Sequence, residues 1–301
     1  MMALTDAVSQ YVAMRMHVDE IDTSPDLVRR LLAAQFPQWA ELPVERVESA
    51  GTDNAMYRVG DSLAVRLPRL PRAEDNVHRE QRWLPFLAPQ LPFAVPEPVG
   101  RGEPGEGFPL PWSVCRWIPG ANPVVGSAEL ALDLATFIQA LRKIDPTGGP
   151  KQERGVPLGT PKRDSWTRDA ISQLHNDIDT ARALAIWDRA IALPDPPDGP
   201  FWSHGDLSPG NILVRDGRLT AVIDFGGVGV GDPTVDLVVA WNLLTGDARE
   251  VFRAALDVDD ETWERGRAWA MSIALIQLPY YRTTNPGLAA LSRHVLREVL
   301  V

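Results

Sequence analysis

The chain of 301 residues contains a single cysteine, Cys115. That excludes an internal disulfide and a thiolate zinc site, and suits a reducing cytoplasm. Cys115 itself reads as a small residue packed in a strand rather than as a reactive thiol. Lysine is nearly as scarce, at positions 143, 151 and 162 alone, so arginine carries the basic chemistry. No apolar run reaches the length of a bilayer span, and Met1 onward shows no charged start followed by an apolar block, so neither a membrane nor a secretory route is expected. Basic residues are outnumbered, 30 against 40, for a net charge of -10. This argues against nucleic acid as the main partner. It favours a cationic substrate, although a solvated acidic surface explains it equally well.

What is present is globular. Hydrophobic residues make up 45% and charged residues 23%, enough to bury one large or two modest domains. The pattern predicts a weakly amphipathic helix from Met1 to about Asp22 and a second from Leu27 to Ala34, started by Ser24 and Pro25. Short strands follow at Val44 to Ser49, Ala55 to Val59 and Leu63 to Leu67, separated by turns, as in an antiparallel meander. Ala73 to Leu87 has helical spacing. Pro89 to Pro111 is proline-rich and reads as loops and edge segments, and Trp112 to Ile118 as a strand stopped by Pro119-Gly120. Thereafter the periodicity is helical: Ser127 to Ile144, Asp164 to Leu193 as one or two helices, then Thr234 to Leu244, Ala248 to Leu256 with Glu261 to Leu278, and Ala289 to Val301. The fold class expected is α+β, with a mainly β N-terminal lobe (1–115) and a mainly α C-terminal lobe (116–301).

One stretch concentrates chemistry. Phe201 to Val214 contains His204-Gly205-Asp206-Leu207-Ser208-Pro209-Gly210-Asn211, and Ala221 to Gly226 ends in Asp224-Phe225-Gly226. A hairpin through Asp216-Gly217 would bring Asp206, Asn211 and Asp224 together. One carboxylate to orient a hydroxyl, with a carboxamide and a second carboxylate for a hard cation, is a minimal kit for phosphoryl transfer.

These residues resemble the catalytic loop and metal-binding segment of the aminoglycoside phosphotransferase family, whose fold is similar to that of protein kinases. Gly231-Asp232-Pro233-Thr234-Val235-Asp236-Leu237 resembles the family text that follows. The resemblance implies a two-lobed protein-kinase-like fold. It implies Asp206 as the group that takes or orients the hydroxyl proton, and Asn211 and Asp224 as Mg²⁺ ligands. His204 would brace the loop, and Asp232 or Asp236 would tie it down. Arg66 stands where the family's third strand carries a phosphate-binding Lys, with Glu80 as its ion-pair partner. Two explanations stay open: Arg has replaced Lys and kept its role, or the position has lost function. The loop Ser49 to Asn54, with Thr52, would cover the phosphates of ATP or GTP. The Arg116 carbonyl and Ile118 N–H would pair with the purine, with Cys115 behind them.

The short segment after Asp224 leaves no room for a protein dock, so the acceptor is expected to be a small hydroxyl compound. Aminoglycosides come first on charge, with macrolides, choline-like alcohols, homoserine and sugars as further options. The competing class is a nucleotide-binding pseudokinase. Asp169, Asp177 and Asp179 are candidate acceptor contacts, and solvated helix faces explain them as well.

Overall fold

The computed structural model describes residues 19–47, 52–152, 154, 156–194 and 199–301. The expected first helix therefore lies mostly outside the described residues, and Asp19 to Asp22, which are described, are not helical. Helix α1 (Pro25–Gln35) starts where its sequence dictates: Ser24 accepts from the Leu27 N–H at 3.1 Å, and Pro25 occupies the first turn. Its buried face, Leu27, Val28, Leu31 and Leu32, rests against the first sheet.

That sheet holds β1 (Val44–Val47), β2 (Asn54–Val59), β3 (Leu63–Pro68), β4 (Pro98–Gly102) and β5 (Trp112–Arg116) in the order β1-β2-β3-β5-β4. Every pairing is antiparallel. Strand β3 is central and buried along its whole length. Proline confined β4 to the edge, and there it pairs with β5 where the sequence pattern gave only loops and edge segments. Gly102 lies opposite Trp112, whose indole would stand 1.9 Å from a Cβ at that position. Helix α2 (Glu74–Leu87) leaves β3 through a short turn and carries Glu80 inward.

Beyond β5 the chain crosses into helices: α3 (Ala128–Arg142), α4 (Pro161–Gln173) and α5 (Thr180–Ile191). Between α5 and the last helices come four short strands. β6 (Phe201–Ser203) pairs with β9 (Gly229–Gly231), and β7 (Ile212–Arg215) pairs with β8 (Arg218–Val222). The β7–β8 turn uses Asp216 and Gly217 at φ 53° and 76°, the left-handed pair that Asp-Gly favours. Buried Asp133 of α3 takes two bonds from Arg218 and one from the Leu219 N–H, fixing this hairpin to the helical core. Helices α6 (Val239–Asn242), α7 (Gly246–Leu256), α8 (Asp260–Tyr281) and α9 (Pro286–Val299) complete the lobe. The segment expected as one helix from Thr234 is instead a 3₁₀ stretch, Pro233–Val238, capped by Asp232, before α6 begins. Each lobe has its own apolar core, around Tyr57 and Trp112 in one and around Phe137, Trp202 and Trp269 in the other. Among the described residues no helix is long and apolar enough to cross a membrane.

Candidate active site

The site forms where the sheet of the first lobe faces the β6–β9 and β7–β8 pairs of the second. Its frame is the loop after β6. Asp236 accepts from the backbone N–H groups of His204 (2.9 Å) and Gly205 (2.8 Å). Burial pushes the Asp236 carboxyl above its usual range, against the pull of His204 and those two N–H groups. The His204 ring lies edge-on to buried Phe225, with centroids 4.8 Å apart. Its Nε2 donates to the Ile223 carbonyl at 3.0 Å, and its Nδ1 accepts the Asp206 N–H at 3.2 Å. His204 thus joins the loop to the Asp224 segment. Further along, Asn122 donates to the carbonyls of Pro209, Gly210 and Ile212, and Asn242 to that of Leu207. Gly205 turns the chain at φ 81°, and a Cβ there would meet Gln152 at 2.1 Å.

On this frame Asp206, Asn211 and Asp224 converge. Asn211 Nδ2 donates to the Asp206 carbonyl (2.9 Å) and to Asp206 Oδ2 (3.2 Å). The Ile223 N–H donates to the Asn211 carbonyl at 2.9 Å, which sets Asp224 beside Asn211. Asp224 holds a left-handed backbone, φ 65° and ψ 69°, a conformation that costs an aspartate energy and tends to mark functional positions.

The first lobe contributes Arg66. Its guanidinium grips both oxygens of Glu80, at 2.6 and 2.5 Å, and donates through Nη2 to Asp224 Oδ1 at 2.9 Å. Arg66 and Glu80 are buried, and the Phe225 N–H also reaches Glu80. Burial opposes the charge on Arg66, but Glu80 and Asp224 outweigh it and hold the guanidinium firmly protonated. The expected pair therefore exists and extends across the cleft to the Asp224 segment. Cys115, opposite Ala64 on the neighbouring strand, is buried near this pair, and burial pushes its thiol up to about 11.

Thr52 sits beside Asp53, its Oγ1 3.4 Å from the carboxylate, and meets the phenol of Tyr281 at the end of α8. Ser49, Ala50 and Gly51 lie outside the described residues. Arg116 ends β5 and gives its N–H to the Glu97 carbonyl (2.9 Å); Trp117 bonds back to Ser62, and Ile118 follows in the connection. These two positions are at the junction of the lobes, apart from the Asp206 cluster.

Two contributors were missed by sequence reasoning. Tyr281 is one, and Arg154 is the other. Arg154 Nη1 donates to Asp206 Oδ1 and to the Gly205 carbonyl at 3.1 Å. Desolvation would raise the Asp206 carboxyl, but Arg154, His204 and the Asn211 bond together hold it below the usual carboxylate range. Arg154 stands in a Gly/Pro-rich loop without periodicity, and nothing local in the sequence links it to a residue 52 positions away.

A two-lobed, kinase-like architecture with this cluster in its cleft defines a class of phosphoryl-transfer protein. The chain matches the model of the phosphotransferase enzyme family over residues 45–269, and it belongs to that family. Among characterised proteins it is 33% identical over 116 residues to an aminoglycoside 3'-phosphotransferase of Escherichia coli, a match covering 37% of this chain and 42% of that protein. It is 27% identical over 234 residues to viomycin phosphotransferase of Streptomyces vinaceus, covering 72% and 77%. Among solved structures it is similar to the GDP and kanamycin complex of APH(2")-IIia, at TM-score 0.69 and 22% identity over 90% of this chain and 97% of that one. It is also similar to macrolide 2'-phosphotransferase MphH from Brachybacterium faecium, at TM-score 0.59 and 22% identity over the same shares. At such identities the structures speak for the fold alone.

Proposed function

We propose that this protein transfers the γ-phosphate of ATP or GTP to a hydroxyl of a small molecule, with an aminoglycoside-type antibiotic as the leading acceptor. One observation carries the reading: Asp206, Asn211, Asp224, Arg66 and Glu80, drawn from four elements or loops, meet across one cleft. In this reading residues 1–115 grip the nucleotide and residues 116–301 supply catalysis and acceptor binding. The GDP complex named among the structural neighbours supports a nucleoside triphosphate donor.

The geometry supports the following roles. Asp206, ionised at neutral pH, takes the proton of the acceptor hydroxyl as its oxygen bonds to phosphorus and the bridging oxygen leaves with the nucleoside diphosphate. Asn211 and Asp224 are the residues that would hold Mg²⁺. Asn211 spends its N–H group on Asp206 and leaves Oδ1 to accept, while Asp224 gives Oδ1 to Arg66 and keeps Oδ2. Among the described residues no cluster of three or more His, Cys, Asp or Glu is placed to cage a metal. Two protein oxygens fit Mg²⁺, a hard cation that takes oxygen ligands and usually draws only one or two of them from protein carboxylates. Bound there, it would neutralise phosphate charge. Arg66 orders the donor phosphates from the other wall, Thr52 lies with the phosphate-covering loop, and the backbone of Arg116 and Ile118 receives the purine.

The acceptor class rests on the relatives' named substrates and on long-range charge. The three carboxylates offered by the sequence are engaged elsewhere: Asp177 pairs with Arg282 at 2.7 Å, Asp179 caps α5, and Asp169 bonds Ser165. A net charge of -10 then acts on a polycation by steering rather than by contact. The test is nucleoside diphosphate release with Mg²⁺ across a panel of aminoglycosides, viomycin, macrolides and simple alcohols. Stimulation by at least one hydroxyl compound is expected; a folded, nucleotide-bound protein that none of them stimulates would defeat the proposal.

A second reading, nucleotide binding without turnover, has one observation in its favour. Arg66 occupies an oxygen of Asp224 that a metal would otherwise claim. Arg66→Lys separates the two. A large gain in turnover marks the Arg as a defect, whereas equal or reduced turnover marks it as the working residue.

A further inference from the structure

Phosphoryl transfer spreads negative charge over the equatorial oxygens of the moving group, and a cation aimed at them is worth a large share of the rate. The loop from His204 to Asn211 contains no Lys or Arg, nor does the stretch from Asp224 to Pro233, nor the loop from Ser49 to Asn54. Arg66 is already bound to two carboxylates. The cation that stands at Asp206 comes from far upstream, and its placement is built.

Residues 150–152 are held against β9. The Val230 N–H donates to the Pro150 carbonyl (2.7 Å), and the Gln152 N–H to the Val230 carbonyl (3.0 Å). Gln152 is buried, donates to the Gly227 carbonyl and accepts the Arg154 N–H at 2.9 Å. The left-handed Gly205 leaves the space that Gln152 fills. This delivers the Arg154 guanidinium to Asp206 Oδ1 and into the field of Asp224 and Asp53 as well. One arginine thus bonds the carboxylate of the catalytic loop and feels the charge of two more, one from the metal-binding segment and one from the phosphate-covering loop.

That placement creates a conflict with catalysis. Arg154 holds Asp206 Oδ1 and Asn211 holds Oδ2, so both oxygens of the general base are engaged. Each oxygen keeps a further lone-pair site, but a carboxylate held by a cation takes up a hydroxyl proton less readily than one the cation has left. The attacking oxygen has to stand within roughly 3 Å of both the base and the phosphorus, so the transferable phosphoryl group lies within reach of a guanidinium seated on Asp206. Arg154 has 38% of its side chain exposed, so the guanidinium borders the open cleft.

We propose that Arg154 is a catalytic cation that exchanges partners. Without nucleotide it rests on Asp206. With a triphosphate bound it passes to the terminal phosphoryl group, stabilises the charge of transfer and frees Asp206 Oδ1 for the acceptor. The inference rests on the phosphotransferase reading above and adds to it a residue outside the motif.

The test measures binding apart from turnover. Affinities for ADP and for a non-hydrolysable triphosphate analogue, both with Mg²⁺, are compared by calorimetry in wild type, Arg154→Gln and Arg154→Lys. Wild type is expected to prefer the triphosphate. Arg154→Gln should lose about ten-fold or more in triphosphate affinity with ADP affinity held within two-fold, Arg154→Lys should keep part of the preference, and turnover of Arg154→Gln should fall about 10³-fold. An unchanged triphosphate-to-diphosphate ratio in Arg154→Gln, with wild type discriminating, overturns the role of Arg154 alone. A wild type that binds neither nucleotide overturns the phosphotransferase reading and this inference with it. Unchanged melting temperatures of both variants exclude a folding defect as the source of the loss.

Discussion

At the residue scale the site is governed by the contest between burial, which pushes the Glu80 and Asp236 carboxyls up, and partners, which hold Asp206 and Arg66 ionised. Arg66 and Glu80 are desolvated together, so removing one strands the other. Arg66→Met should destabilise the fold by about 3–5 kcal/mol in chemical denaturation, because a buried carboxylate loses its counter-charge. Asp206 titrates in the opposite sense to a buried, unpaired acid. Arg154 and His204 hold its carboxyl below the ordinary range, so the base stays ionised as pH falls past the usual carboxylate value. The acidic limb of the kcat/KM profile for the nucleotide, which reports the nucleotide-free enzyme, should therefore lie below that value and move up in Arg154→Gln. A limb unmoved by that substitution would show that Arg154 does not set the ionisation of Asp206. The same carboxyl contributes stability that is present above its unfolded-state pKa and lost as pH falls through its folded-state one.

At the element scale the β6 loop depends on the 3₁₀ stretch Pro233–Val238. Asp236→Ala would leave the N–H groups of His204 and Gly205 buried without an acceptor, at roughly 1–3 kcal/mol each. The expected outcome is a lowered melting temperature together with a turnover loss that acceptor concentration does not repair. Turnover at the wild-type level would remove Asp236 from the frame of the site. Local signals made part of this legible in advance: Ser24-Pro25 marked the start of α1 and Asp216-Gly217 the β7–β8 turn, whereas the pairing of Glu80 with Arg66 came from the family resemblance. The helix expected from Thr234 failed because Asp236 must turn back to the catalytic loop, a tertiary demand with no trace in periodicity. Arg154 and Tyr281 failed for the same reason. Their partners are set by the β9 pairing and by the end of α8, and both are contacts between distant segments.

At the scale of the whole molecule, two apolar cores meet at a polar seam, and the proposed chemistry is assigned to that seam. Arg66 ties β3 and α2 to the Asp224 segment, and Tyr281 ties α8 to Thr52, so each lobe completes a site that neither forms alone. Two-lobed order and cleft position were readable from the switch between strand and helix periodicities near Cys115. The acceptor was not, because the acidic residues facing that question are spent on caps and ion pairs.

The central claim is that Asp206 is the base of a nucleotide-dependent transfer to a small hydroxyl compound. Its most direct test is nucleoside diphosphate release with Mg²⁺ and a responsive acceptor, compared between wild type and Asp206→Asn, with triphosphate binding measured on both. Binding should survive in the variant within a few-fold while turnover falls by at least about 10³-fold. Retained turnover in Asp206→Asn, or the absence of acceptor-stimulated release from a wild type that binds the triphosphate, would contradict the account.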